Sequence, residues 1–297
     1  MLNKQVLDYV HPVAVNFFVL IVCALGLAAI ALPLSLLHLW SLGLGLTWQA
    51  AGYIAISAPL TWVVAFSTYY YALRRGRAGI VATLTATDPL FTGLFAVVLV
   101  GAALSALTIA GLLLTVLGIV LISRWMGSEP EPPAPMLDGA VSPAASANVP
   151  TVVGLSMVTA AGWGLSPVII ELAERSTGGA TTTLMLLSEA FGIALLAPLV
   201  ATRRGRLFVR QPGRRTRRRI ALLLVAAGLL NAVFSVLYYV LIAHIGAVLT
   251  MVTTATAPLF AIAGGVLVLR ERFGRRLALA AGLTLLGVLL AAIGHHG

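Results

Sequence analysis

Nine stretches of this chain stay apolar for about twenty residues at a time, long enough to cross the hydrocarbon core of a bilayer as a helix. They fall near residues 13–37, 50–73, 78–100, 104–123, 152–170, 180–201, 220–243, 246–269 and 277–294. In lipid each segment must satisfy its own backbone N–H and C=O groups, which makes all nine helices. A β-barrel would instead show short strands of alternating polarity. The composition agrees: 60% of residues are apolar and 9% are charged, against roughly 45–50% and about 25% in a soluble domain. So few charges cannot cover the surface of a cytosolic enzyme or sustain a disordered chain. The expected fold is therefore an all-α integral membrane protein with about nine transmembrane helices. The first stretch is too long for a secretory signal peptide and lacks a small-residue cleavage site. The single cysteine, Cys23, sits inside an apolar run; it excludes a disulfide framework and a cysteine-based metal site, and it reads as packing.

Basic residues orient the chain. With nine helices, 18 of the 19 Lys and Arg residues fall on one face of the membrane, and only Arg175 falls on the other. Cytoplasmic loops carry such an excess. The expected location is the cytoplasmic (inner) membrane of a bacterium, with the N-terminus in the cytoplasm and the C-terminus outside. Half of that excess is the run of nine arginines between Arg203 and Arg219. It reads as a topology determinant and a contact for anionic lipid, at about 1 kcal/mol per residue. Only Phe208 interleaves it, so no nucleic acid partner is expected.

Residues 127–150 hold six prolines and no helical period, the composition of a flexible linker. They divide the chain into 1–126 and 151–297. Shifting the sequence by 169 residues brings these parts into register without a gap from Tyr69 to Leu121. Tyr69-Tyr70 then meets Tyr238-Tyr239, Thr85-Ala86-Thr87 meets Thr254-Ala255-Thr256, Pro89-Leu90-Phe91 meets Pro258-Leu259-Phe260, and Leu117-Gly118 meets Leu286-Gly287. On this register the stretch 152–170 has no counterpart in the first part. The chain thus reads as four plus five helices, either naturally nine-helical or with a start assigned too late. Repeats of an odd number of helices point in opposite directions through the membrane, and inverted repeats recur in secondary transporters with the substrate near the midplane.

The chain resembles the drug/metabolite transporter superfamily, in particular its EamA type. The resemblance is carried by Thr87-Asp88-Pro89-Leu90-Phe91, Ala96, Gly111 and Gly118 in the first part. In the second it is carried by Ala257-Pro258-Leu259-Phe260, Arg270-Glu271-Arg272-Phe273 and Gly287. It implies two inverted repeats around a central cavity, movement of small metabolites such as amino acids, and no ATPase domain. Three departures stand out: the missing first helix, Ala102 where the family has a glutamate (the second part keeps Glu271), and a charge-derived orientation unlike the family's usual one.

Several residues are candidates for a substrate path. Asp88 lies near the middle of its stretch, where a carboxylate costs roughly 2.5–3.5 kcal/mol. Thr85 and Thr92 share its face by helical spacing, and Pro89 can break the helix beside it. Asp88 reads either as a cavity residue or as a cap for the broken turn. Glu189 is a second intramembrane acid, either a buried hydrogen-bond partner or a solute or proton site. Trp62, Phe66 and Tyr69 form a stripe whose counterparts under the shift, Asn231, Ser235 and Tyr238, are more polar. With Tyr70, Tyr239, Trp163, Thr254 and Pro258 they are cavity candidates, the alternative being ordinary packing or an interfacial aromatic belt. There is no phosphate-binding G-x-x-x-x-G-K-[ST] loop, no H-E-x-x-H, no second intramembrane Asp and no histidine cluster. No catalytic residue, metal or cofactor is expected. The expected function is secondary transport of small organic metabolites, amino-acid-like or drug-like, as efflux by alternating access. The expected partners are that solute, membrane lipids and an open choice of coupling proton or other ion. The alternative is a non-transporting remnant or an interaction subunit.

Overall fold

The structure, a computed structural model, describes residues 6–36, 46–76, 78–127, 149–202, 207–256 and 275–295. Among these residues the regular structure is helical, with turns and short connections between the helices and one isolated bridge between Val10 and Phe208. The elements are α1 (Pro12–Leu36), α2 (Trp48–Arg75), α3 (Ala78–Thr85), α4 (Asp88–Val100), α5 (Ala106–Gly127), α6 (Val149–Thr177), α7 (Thr181–Ala201), α8 (Arg214–Thr254) and α9 (Arg275–His295). Residues 128–148 of the expected linker and most of 246–269 lie outside the described residues.

Two expected helices are not continuous, and the sequence explains both. The stretch 78–100 is split into α3 and α4 at Ala86-Thr87. Pro89 has no N–H to return to the preceding turn, so the ladder fails just upstream of it. The boundary between 220–243 and 246–269 becomes a sharp break inside α8, where Gly246 adopts φ 76° and ψ 170°. That left-handed φ strains any residue carrying a Cβ. The segment after the break ends at Thr254, followed by a turn at Ala255-Thr256. Under the 169-residue shift these are the positions at which α3 ends and turns. A helix thus ends in a turn at the same register in both repeats.

Helix α2 carries a third irregularity. Pro59–Ala65 is a π-helical turn within it, again where proline removes a donor. Asn16 of α1 donates its side-chain amide to the Trp62 carbonyl at 2.5 Å, supplying a bond at that turn.

The inverted relation of the repeats is visible where α5 meets α9. A Cβ on Gly118 would collide with Thr284 Oγ1 and the Ala280 carbonyl. A Cβ on Gly287 would collide with Thr115 Oγ1 and the Gly111 carbonyl. Each set is the other displaced by 169 residues. Gly294 lies against Ser105 and Thr108, so the two helices run antiparallel. A reciprocal, antiparallel contact has a two-fold axis across the helices, in the membrane plane. Small residues let the backbones approach this closely, which is how helices associate in lipid.

One end of the molecule gathers the basic segments. His11 N donates to the Leu207 carbonyl and Val209 N to the Tyr9 carbonyl, each at 2.8 Å. Tyr9, Val10, Leu73, Val152 and Ile220 share one apolar cluster. The end of α2 with Arg74 and Arg75 and the start of α8, which carries the last five arginines of the run, therefore lie beside Tyr9 and Val10. Arg175 is at the end of α6, paired with Glu171 one turn before it.

Candidate substrate cavity

A cavity of about 420 Å³ lies between the repeats, within the size range of small-molecule sites. Both helix breaks open onto it: Thr85, Ala86 and Asp88 from one repeat, Thr254 and Ala255 from the other. The two repeat-related stripes also line it. Trp62, Phe66 and Tyr69 come from α2, and Asn231, Ser235 and Tyr238 from α8. The first forms an apolar wall, with Trp62 and Phe66 stacked at 4.9 Å between ring centroids. The second supplies an amide and hydroxyls beside the Phe234–Tyr238 pair.

Helix α6, without a counterpart under the shift, closes the cavity with Trp163, Ser166 and Ile170. Trp163 packs its ring 5.3 Å from Phe66 and 5.1 Å from Tyr69. The flanking glycines serve the opposite purpose. Gly162 lies against Ala65, and Gly164 lies against the backbone of Asp88 and Thr92. So the Gly-Trp-Gly triplet is a packing notch on two sides and a cavity wall on the third.

Asp88 is the one charged residue among those lining the cavity. It opens α4, and its carboxylate turns back on its own backbone amide. The Thr87 side chain makes no capping bond. Both readings of Asp88 thus describe its position: it sits at the broken turn and it faces the cavity.

Ten of the residues singled out from sequence line the cavity: Asp88, Thr85, Trp62, Tyr69, Trp163, Asn231, Ser235, Tyr238, Tyr239 and Thr254. Four do not. Thr92 is fully buried and donates to the Asp88 carbonyl at 3.1 Å; the break upstream of α4 removes the single helical face it was expected to share with Thr85. Pro89 is buried in the first turn of α4. Tyr70 is packed in the apolar cluster near the N-terminus. Glu189 is 1% exposed and lies behind the wall, where Cys23 Sγ donates to its Oε1 at 3.5 Å. Pro258 lies outside the described residues.

Sequence reasoning missed Thr61, Ser166 and Ser188. Thr61 and Ser166 are hydrogen-bonded to each other across α2 and α6, and Ser188 Oγ accepts the Trp62 indole N–H at 3.2 Å. The π-helical turn shifts the phase of α2, so helical spacing alone could not put Thr61 beside Trp62 on the cavity. A proline in the middle of an apolar run was the available signal.

The sequence matches the EamA-like transporter family over residues 1–124 and 151–293. The chain belongs to that family. It is accordingly a membrane transporter of the drug/metabolite transporter superfamily, with an all-α fold of two inverted repeats. A solved crystal structure is similar to this EamA-like chain with a TM-score of 0.66 and 15% sequence identity, covering 95% of this chain and 87% of the other. At that identity the likeness concerns the fold alone. No curated protein matches the sequence.

Proposed function

We propose that this chain is a secondary carrier that moves small organic metabolites, amino-acid-like or drug-like, out of a bacterial cell. On this reading it works by alternating access: the two repeats rock about the cavity, opening it to one side and then the other. The observation that carries the reading is the pair of helix breaks at matching register, Ala86-Thr87 and Ala255-Thr256, next to one cavity between the repeats. Interrupted helices expose backbone polar groups in the membrane, which is tolerated where they line a site and is a recurrent feature of carrier binding sites. The path residues are Asp88, Thr85, Trp62, Tyr69, Trp163, Asn231, Ser235, Tyr238, Tyr239 and Thr254. Thr92, Pro89 and Tyr70 hold that wall from behind, and Pro258 is the repeat-related partner of Pro89. Glu189 is the candidate site for a coupling proton. The basic end faces the cytoplasm, so the N-terminus is inside and the C-terminus outside.

The test is a metabolite-export screen in a strain lacking the protein, followed by transport in vesicles with each solute found. Wild-type protein should restore export and Asp88→Asn should not, at equal membrane yield. Unchanged export profiles with and without the protein would refute the carrier.

A further inference from the structure

We propose that the solute of this cavity is an amphipathic organic cation, an ammonium centre on an apolar or aromatic body, with Asp88 as its counter-ion. This rests on the carrier reading and names its substrate class.

The first argument is charge. None of the nine apolar stretches contains a Lys, Arg or His, and the acids within them are Asp88 and Glu189. Among the described residues Asp88 faces the cavity with no basic partner; its carboxylate turns back on its own backbone amide, with the Tyr238 hydroxyl in its field. An intramembrane carboxylate calls for a partner or for water. The described residues that line this site supply no cation, which leaves the place opposite Asp88 to the solute.

The second argument is the helix ends. Helix α3 ends at Thr85 and the segment after Gly246 ends at Thr254, and both ends line the cavity. Each helix C-terminus acts as about half a negative charge. The N-terminus of α4 has the opposite sign, but its first residue is Asp88 itself. The sum therefore stays negative.

The third argument is the wall. Trp62, Phe66, Tyr69 and Trp163 make a continuous aromatic surface with ring separations of 4.9 to 5.3 Å. Ring faces attract a cation and accept an apolar body at the same time. Behind the opposite wall, Glu189 is 1% exposed and its Oε2 has no hydrogen-bond partner among the described residues. Cys23 links it to the cavity, with Sγ 3.5 Å from Glu189 Oε1 and 3.9 Å from Ser235 Oγ. Whenever Glu189 is without its proton, this second carboxylate adds to the same field.

The experiment measures binding of four probes to the full chain in lipid nanodiscs: phenethylamine, its N,N,N-trimethyl derivative, phenylalanine and phenylacetate. Both cations should bind more tightly than the zwitterion and the anion. Asp88→Asn should weaken cation binding by about tenfold or more, equivalent to ~1.4 kcal/mol. If that variant fails to elute as a folded species, Asp88→Glu serves instead; it should keep the preference for cations over phenylacetate. Tighter binding of phenylalanine or phenylacetate, no binding of either cation, or unchanged affinity in a folded Asp88→Asn protein would each overturn the proposal. Transport of phenylalanine without cation binding would overturn it and leave the carrier standing. Cation binding with no solute moved in proteoliposomes would uphold it and refute the carrier.

Discussion

Trp62 is both a cavity wall and a buried donor, and its position depends on one hydroxyl. Its indole N–H donates to Ser188 Oγ from a site that is 5% exposed. Removing the acceptor leaves a buried N–H unsatisfied, which costs about 1–3 kcal/mol. Ser188→Ala should therefore lower the thermal unfolding midpoint in detergent, and Ser188→Thr, which keeps the hydroxyl, should lower it less. Equal midpoints for the alanine variant and wild type would show that the bond contributes nothing. Gly164 is a second position where one atom decides. A Cβ there would meet Phe91 Cβ and the backbone of Asp88 and Thr92, which cannot swing aside, whereas a Cβ on Gly154 of the same helix meets nothing within 4 Å. Gly164→Ala should reduce folded yield sharply. Gly154→Ala should be neutral or slightly stabilising, because alanine is the better helix former by about 1 kcal/mol. Comparable yields of the two variants would contradict the notch. Trp62 was legible from helical spacing. Ser188 was not: a serine in an apolar helix carries no periodic signal, and only the fold brings it under the indole.

The elements that matter most to the cavity are those that stop early. Pro89 made a break near Asp88 legible, but not its place two residues upstream, since that depends on where the chain finds other partners. The break at Gly246 was legible only as a boundary between two stretches. What the sequence concealed is its support. Glu171 Oε2 accepts the Ala247 N–H at 2.7 Å, putting a carboxylate on the N-terminus of the segment that runs to Thr254. Glu171 and Arg175 pair at the end of α6, and the glutamate ties that helix to the break. A carboxylate at a helix N-terminus satisfies orphan amides and complements the helix dipole, at about 0.5–2 kcal/mol. Glu171→Ala should destabilise by that order. Gly246→Ala should cost about 1–2 kcal/mol, because an L residue is strained at a left-handed φ. Denaturant titration in mixed micelles checks both; a Gly246→Ala protein as stable as wild type would mean that the break can form another way.

At the scale of the molecule, the repeat was the most legible feature, because Thr-Ala-Thr followed two residues on by Pro-Leu-Phe recurs at a fixed offset in a composition where Leu and Ala agreement is cheap. The offset, however, gave no three-dimensional relation beyond parity. The relation comes from the collision of Gly118 with Thr284 and its image, Gly287 with Thr115, which depend on contact across 166 and 172 residues of chain. The same holds for orientation. Charge counting puts 18 of 19 basic residues on one face. The fold adds an independent constraint: the N-terminal segment and the middle of the arginine run are joined through backbone bonds of Tyr9 and His11 to Val209 and Leu207. Whichever face one of them occupies, the other occupies too. A labelling experiment can exploit this. Cys23 is fully buried, so it should stay silent to a membrane-impermeant maleimide, and new cysteines can be read against a clean background. Asp8→Cys and Gln211→Cys should be labelled together, and only after the cells are opened, whereas Gly297→Cys should react in intact cells. Labelling of both Asp8→Cys and Gln211→Cys from outside would reverse the orientation but preserve the fold. Labelling of one without the other would break the pairing of Val10 with Phe208 and with it the common end. The charge argument and the fold argument therefore fail separately, because the first concerns which side the basic end faces and the second concerns which segments share it.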